Sequence, residues 1–240
     1  MTGHTTLIVI PTYDERESLP CLVGDVLNCL DHSEVLVVDD ASPDGTGDVA
    51  DELSRADPRI HVLHRRGKLG MGTAYVEGFA WALARGYPRV VQMDADRSHA
   101  PSAIPGLVRE LDGADLVVGS RFVPGGGAPG WGPHRIALNR MAGAYCRTLL
   151  TLPLTDPTSG FRALNRRALE VLARRPIRSE GFAFQIEVAF RVHHHGLRVV
   201  EHPIRFVDLT VCTSKLSAAI VVEAVIVVPL LRLCALTGAL

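Results

Sequence analysis

From its first residues to its midpoint the chain alternates short apolar runs with longer stretches of helical period. Leu7–Ile10 is apolar throughout and stops at Pro11, the pattern of a strand buried on both faces. Glu17–Leu30 has helical spacing. Glu34–Val38 predicts a second buried strand, closing on Asp39-Asp40. Ser42-Pro43-Asp44-Gly45 is turn chemistry, and Thr46 is placed to cap a helix running to Arg55. Ile60–Leu63, Val90–Met93 and Leu116–Gly119 predict three more strands, with helices over Ala74–Arg85 and Pro101–Leu111 between them. Such alternation calls for a mostly parallel sheet flanked by helices on both faces.

The second half is less regular. Val123–Pro133 is dense in Gly and Pro and predicts a mobile loop. Arg135–Leu150 and Phe182–His195 read as helices, the second ended by Gly196. Gly160–Ala163 reads as extended, and Val199–Val207 as a strand broken at Pro203. No repeat and no linker divides the chain, so residues 1–215 form one expected domain. From Leu216 to Leu240 the charges are Glu223 and Arg232, with Pro229 between them. A helix of this length reaches about 37 Å, enough to cross a bilayer. At about 100° per residue, however, Glu223 and Arg232 fall on opposite sides. A helix lying in the membrane interface fits better than a span. Packing on the domain, or on a second copy of the chain in a homo-oligomer, is the competing expectation.

Composition narrows the class. The 240 residues are 47% hydrophobic and 21% charged, which excludes a disordered or collagen-like chain. Lys and Arg number 25 against 26 Asp and Glu, a net charge of −1, which argues against nucleic acid as a partner. Cys21, Cys29, Cys146, Cys212 and Cys234 show no Cys-x-x-Cys pairing, as expected of a reducing compartment without a zinc knuckle. The opening Met-Thr-Gly-His-Thr-Thr is no signal peptide, and the expected location is cytoplasmic.

Polar residues gather just past the predicted strands: Thr12-Tyr13-Asp14-Glu15, Asp39-Asp40, Asp94-Ala95-Asp96 and Ser120-Arg121. Ligands of open parallel sheets bind beyond the carboxyl ends of the strands, so these residues predict one site along one sheet edge. Asp94-Ala95-Asp96 sets two carboxylates one residue apart, able to share a hard divalent cation with a diphosphate. Asp39-Asp40 is either a pair of solvated turn carboxylates or an acceptor for nucleoside hydroxyls. Gly67–Gly72 has neither Walker spacing nor the dinucleotide fingerprint, which excludes ATP and NAD readings there. His193-His194-His195 point about 100° apart on a helix and cannot converge on one ion. Trp131 is expected to anchor the Gly-rich loop as a lid.

Pro11-Thr12-Tyr13-Asp14-Glu15, Val37 through Thr46 and Met93-Asp94-Ala95-Asp96-x-Ser98-His99 resemble the inverting GT-A glycosyltransferases of family two. Gly119-Ser120-Arg121-Phe122, Trp131-x-x-x-Arg135, Asp156 through Arg162, Gly181 through Glu187 and Ser214-Lys215 are similar to dolichol- or polyprenol-phosphate mannose synthases. The similarity runs from about Leu7 to Glu223. It implies an α/β GT-A fold, with a nucleotide-binding half over 1–120 and an acceptor half over 121–215, followed by the apolar C-terminal helix that the residues over 216–240 themselves predict. It also implies mannose transfer from GDP-mannose to a polyprenyl phosphate, with Mg²⁺ or Mn²⁺, peripherally at the cytoplasmic face of the membrane. Positions matching Pro11, Tyr13, Glu15, Val38 and Asp40 then hold the nucleoside, and Asp94, Ala95 and Asp96 hold metal and diphosphate. Ser98 adds a metal contact, directly or through water. Arg121, Arg135, Asn139 and Lys215 receive the acceptor phosphate; Asp96, Arg121, Arg135 and Lys215 are the implied catalytic set. Since a lipid phosphate is already an anionic nucleophile, no strong general base is required. Holding two phosphates in line across the anomeric carbon is catalysis by positioning, and one displacement inverts the centre.

Four departures stand out. Leu209 replaces an expected phosphate-binding Arg, which removes on the order of 1.5–3 kcal/mol of charged hydrogen bonding. Cys212 replaces a Gly, Asp14 an Asn and Asn139 a Ser. The Leu209 and Cys212 changes motivate an alternative, a related transferase using UDP-glucose or a non-lipid acceptor. A nucleotide-sugar-binding scaffold without turnover is the remaining alternative, against which Asp94, Asp96, Arg121 and Lys215 all speak.

Overall fold

The computed structural model describes residues 5–177, 179–207 and 218–238, with the side chains of 218–224 excepted. Lys215, Leu209 and Cys212 lie outside the described residues. Strands β1 (Thr6–Thr12), β2 (Ser33–Asp39), β3 (Ile60–His64) and β4 (Arg89–Gln92) alternate with helices α1 (Leu19–Cys29), α2 (Thr46–Ala56) and α3 (Met71–Ala84). A 3-10 turn at Pro101–Ala103 leads into α4 (Ile104–Glu110), followed by β5 (Leu116–Ser120) and α5 (Pro133–Leu150). Then come β6 (Arg162–Asn165), α6 (Arg166–Ala173), α7 (Gly181–His194), β7 (Val199–Pro203) and α8 (Ala218–Leu236). One sheet of seven strands runs β3-β2-β1-β4-β6-β5-β7.

The apolar strands are continuous runs because both sheet faces are covered. Leu7 and Val9 of β1 pack with Tyr75 and Phe79 of α3 and Phe184 of α7. Ile8 and Ile10 pack with Leu19, Leu22 and Val26 of α1 and Leu107 of α4. Gly78 sets the depth of α3: a Cβ there would lie 2.5 Å from Val9 Cγ1. Without that glycine the helix could not settle on β1.

The sheet is mostly parallel, as expected, with one inversion that matters. β6 pairs antiparallel with both β4 and β5. The β6 start, Arg162, therefore lies beside the β4 end, Gln92. A reversed strand thus delivers the segment before it, Asp156–Phe161, to the edge where β1, β2, β4 and β5 end.

Several boundaries differ from expectation. Thr46 is not the cap: the chain enters α2 at Gly45, and Thr46 Oγ1 donates to Asp44 Oδ1 at 2.6 Å and accepts from Glu15 N at 2.9 Å. The Thr46 hydroxyl ties the loop after β2 to the loop after β1 instead. Pro203 ends β7, since its ring removes a ladder donor. The Gly-rich 123–133 segment is packed rather than free, with Gly127 N donating to Ile204 O at 3.0 Å and Phe206 N to Gly127 O at 2.9 Å.

Candidate active site

A cleft of about 440 Å³ opens along the predicted sheet edge. Pro11, Tyr13, Glu15, Asp40, Asp94, Ala95, Asp96, Ser98, Arg121, Arg135 and Asn139 all line it. Val38 is not among the lining residues. Its side chain is fully buried in the core, and in β2 its partners are Pro11 and Leu63. The strand period allows one face per residue, and Val38 has the core face.

Three cleft loops begin with unusual backbone. Asp14, Ala41 and Arg97, just beyond β1, β2 and β4, have φ of 61°, 54° and 59°. Left-handed residues of this kind are held only where surrounding contacts over-determine them, and they cluster at functional sites. Asp shares with Asn a tolerance of this conformation, which suits Asp14 to the position.

The carboxylate pair is oriented from beneath. Tyr75 OH, wholly buried on α3, donates to Asp94 Oδ1 at 2.7 Å. Burial and the neighbouring Asp94 charge push the Tyr75 hydroxyl well above its ordinary range, so it stays a donor. Asp96 Oδ1 accepts from Ser98 N at 3.0 Å and Ser98 Oγ at 2.6 Å. One oxygen of each carboxylate is thereby fixed, and the second accepts no hydrogen bond among the described residues. Beside Asp94 Oδ2 stands Gly160, where a Cβ would lie 3.1 Å away. The gap left by that missing Cβ suits a cation and its ligands. Among the described residues no three His, Cys, Asp or Glu side chains converge on one point. Two carboxylates that leave further positions to phosphate oxygens and water match what Mg²⁺ or Mn²⁺ takes from a protein beside a nucleotide.

Asp40 is more committed than the sequence suggests. Oδ1 is ion-paired with buried Arg65, and Oδ2 accepts from Leu69 N and Gly70 N, each at 3.1 Å. Its neighbour Asp39 accepts from Thr12 Oγ1 at 3.2 Å and Ser42 Oγ at 2.6 Å. Both acids organise loops.

The opposite wall is basic and aromatic. Arg121 forms a bidentate pair with Asp156, Nε to Oδ2 at 2.7 Å and Nη2 to Oδ1 at 2.6 Å, and adds Thr158 Oγ1 at 3.1 Å. Its Nη1 makes no hydrogen bond among the described residues. Trp131 is buried, with the guanidinium of Arg135 3.8 Å and that of Arg121 4.7 Å from its ring centroid. Asn139, one turn along α5, donates to Arg135 O at 2.8 Å. His99 stacks on Phe161 at 4.9 Å and meets Phe206 edge-on at 5.5 Å. Burial lowers its pKa, holding the ring neutral, and its Nδ1 has no partner among the described residues.

Sequence reasoning missed Lys68, His99, Thr158 and Phe206 as cleft residues. Lys68 sits in the Gly67–Gly72 segment, whose failed match to nucleotide fingerprints hid its place in the cleft. Thr158 and its neighbours are carried in by the reversed strand, which a βα pattern does not predict.

A mostly parallel sheet with an acidic pair beyond its central strand and a guanidinium wall facing it defines the GT-A class of glycosyltransferase. The chain belongs to glycosyl transferase family 2, whose family model matches residues 7–173. It is 48% identical over 221 residues to the polyprenol monophosphomannose synthase of Mycolicibacterium smegmatis, covering 91% of this chain and 83% of that protein. It is also 48% identical over 220 residues to the undecaprenyl-phosphate mannosyltransferase of Micrococcus luteus, covering 92% and 90%. Among solved structures, glucosyl-3-phosphoglycerate synthase from Mycobacterium tuberculosis, in complex with Mn²⁺, UDP and glucosyl-3-phosphoglycerate, shares the fold. The TM-score is 0.67 at 22% identity, over 96% of this chain and 80% of that one.

Proposed function

We propose that this glycosyltransferase moves mannose from GDP-mannose to a polyprenyl phosphate, with inversion at the anomeric carbon. The observation that carries the reading is the juxtaposition, in one cleft, of the Asp94–Asp96 pair with Arg121 and Arg135, in a chain 48% identical to two lipid-phosphate mannosyltransferases. Asp94 and Asp96, with Ser98 bracing Asp96, would hold Mg²⁺ or Mn²⁺, which when bound neutralises charge on the departing diphosphate. Pro11, Tyr13 and Glu15 bind the nucleoside. Asp40 acts on the nucleoside through the loop it ties down, and Val38 through its main chain alone.

Arg135 and the uncommitted Nη1 of Arg121 receive the acceptor phosphate, with Asn139 holding the start of α5 and Lys215 supplying a further charge. Guanidinium groups suit a phosphate because their donors are planar and paired. Asp156 fixes the Arg121 plane before substrate arrives, so little reorganisation remains at the moment of reaction. The acceptor oxygen is already ionic, and this wall supplies orientation rather than a base.

Residues 1–120 serve as the donor half and 121–215 as the acceptor half. The apolar face of α5 and α8 lies against lipid, where a polyprenyl tail would be found. No helix among the described residues is long and apolar enough to cross a membrane, so the contact is interfacial.

The test is direct. Purified full chain with Mn²⁺, GDP-mannose and a short-chain polyprenyl phosphate should give polyprenyl-phosphate mannose by mass spectrometry, and none with UDP-glucose. Transfer of glucose from UDP-glucose, with GDP-mannose untouched, would replace this reading with the alternative donor.

A further inference from the structure

The loop between β3 and α3 brings a cation into the cleft at a place that no strand-end motif marks. Lys68 lines the cavity, and its Nζ lies 3.7 Å from the centroid of the Tyr13 ring. The loop is fastened on both sides of this lysine. Asp40 Oδ2 takes the amides of Leu69 and Gly70, each at 3.1 Å. Arg65, buried and ion-paired with Asp40 Oδ1, donates to Gly70 O at 3.2 Å and to Thr73 Oγ1 at 2.6 Å. A long side chain costs less to order when its backbone is already fixed, so the ammonium is presented at Tyr13 in advance of a ligand.

Sheet order says which part of a donor meets it. Asp94 and Asp96 follow β4, and Arg121 follows β5 on one side of them. Asp40 and Lys68 follow β2 and β3 on the other side. With the diphosphate at the acidic pair and the acceptor phosphate at the arginines, the nucleoside is left the β2–β3 side. This step rests on the donor reading proposed above.

We propose that Lys68 is a specificity-determining residue that reads the base of the donor nucleotide. Its ammonium, held over the Tyr13 ring, donates to two acceptors on one edge of a guanine, O6 and N7. A compact cation with three donors suits that pair of acceptors. A uracil offers one carbonyl on the corresponding edge, so the contact favours guanine.

The experiment is calorimetric titration of the full chain and of Lys68→Met with GDP, UDP and inorganic pyrophosphate, each in the presence of Mn²⁺. Lys68→Met should weaken GDP binding by about tenfold, about 1.4 kcal/mol, and leave UDP and pyrophosphate within about twofold at an unchanged melting temperature. Lys68→Arg should restore most of the GDP affinity. An equal loss for all three ligands would assign Lys68 to the phosphates and overturn the proposal, as would unaltered GDP binding by Lys68→Met. Unmutated chain that binds none of the three would remove the donor reading and this proposal together; GDP binding indifferent to Lys68 removes this proposal alone.

Discussion

Tyr75 shows how a residue outside the motifs can govern one inside them. Its ring stacks between Phe79 and Phe184, with centroids 6.2 and 6.1 Å away, and its hydroxyl fixes Asp94 Oδ1. Tyr75→Phe keeps the ring and removes the donor, so the fold should lose only about 1 kcal/mol. The carboxylate should then turn more freely, and Mn²⁺ affinity should fall by about tenfold, the usual size of an outer-shell effect. Titration of Mn²⁺ by electron paramagnetic resonance, beside a thermal melt, checks both numbers; unchanged Mn²⁺ affinity would show that Asp94 is oriented by something else. Residue identity was the most legible level. Asp94, Asp96 and Arg121 could be chosen from the chain because charged groups beyond buried strands have one edge to occupy, whereas Arg135, on α5, came only with the family resemblance. What the chain could not show is whether each charge is already engaged. Asp40 faces Arg65 and two amides across 25 to 30 residues of sequence, and pairings at that distance leave no periodic trace.

At the scale of elements, the segment before β6 is the part of the site least legible in sequence. Gly160–Ala163 reads as extended, but strand direction depends on long-range pairing that leaves no mark in the local sequence, and β6 runs antiparallel to both β4 and β5. α6 also escaped notice, since Arg166 and Arg167 open it and its eight residues hold barely two turns. Arg162 locks this region. Fully buried, it donates to Ser159 O at 2.8 Å, Gln185 O at 2.6 Å and Pro157 O at 2.7 Å, joining the cleft loop to α7. Burial lowers its pKa to about 9, which leaves it charged at neutral pH. Arg162→Met would strand three carbonyls, at about 1 kcal/mol or more each. Calorimetry should therefore show a melting temperature lower by about 10 °C. Activity should fall with it, because Thr158 and Gly160 line the cleft. Arg162→Lys should recover part of the stability, since one ammonium reaches fewer of the three carbonyls. A melting temperature within about 2 °C of the unmutated chain would mean that the loop is held without this residue.

Among the described residues, α8 leaves an apolar surface uncovered by the chain's own packing. Val228 and Leu231 of α8 are buried against the domain, yet Ile226, Leu230 and Leu233, on another side of the same helix, are 55%, 52% and 56% exposed. α8 packs on α5, where Tyr145 OH donates to Val225 O at 3.0 Å, and α5 adds Met141 at 67% exposure and Leu138 at 37%. A row of exposed large apolar side chains on one side of a helix wants cover, and water is a poor neighbour for it. Arg140 and Arg147 stand exposed on α5, whose other face carries Arg135 and Asn139 into the cleft. An apolar surface edged by arginines and joined by one helix to the arginine wall of the cleft is suited to anionic lipid. In such a contact each half-exposed leucine gains roughly 1 kcal/mol on leaving water. Leu230→Glu with Leu233→Glu removes two such gains and adds two charges that anionic headgroups repel. Sedimentation with phosphatidylglycerol vesicles should show binding weakened by at least about tenfold. Turnover with a short-chain, water-soluble acceptor should stay unchanged, because neither leucine lines the cleft. Equal vesicle binding by the two proteins would move the lipid contact elsewhere on the surface. Loss of turnover on the soluble acceptor would instead make α8 a structural support of the active site.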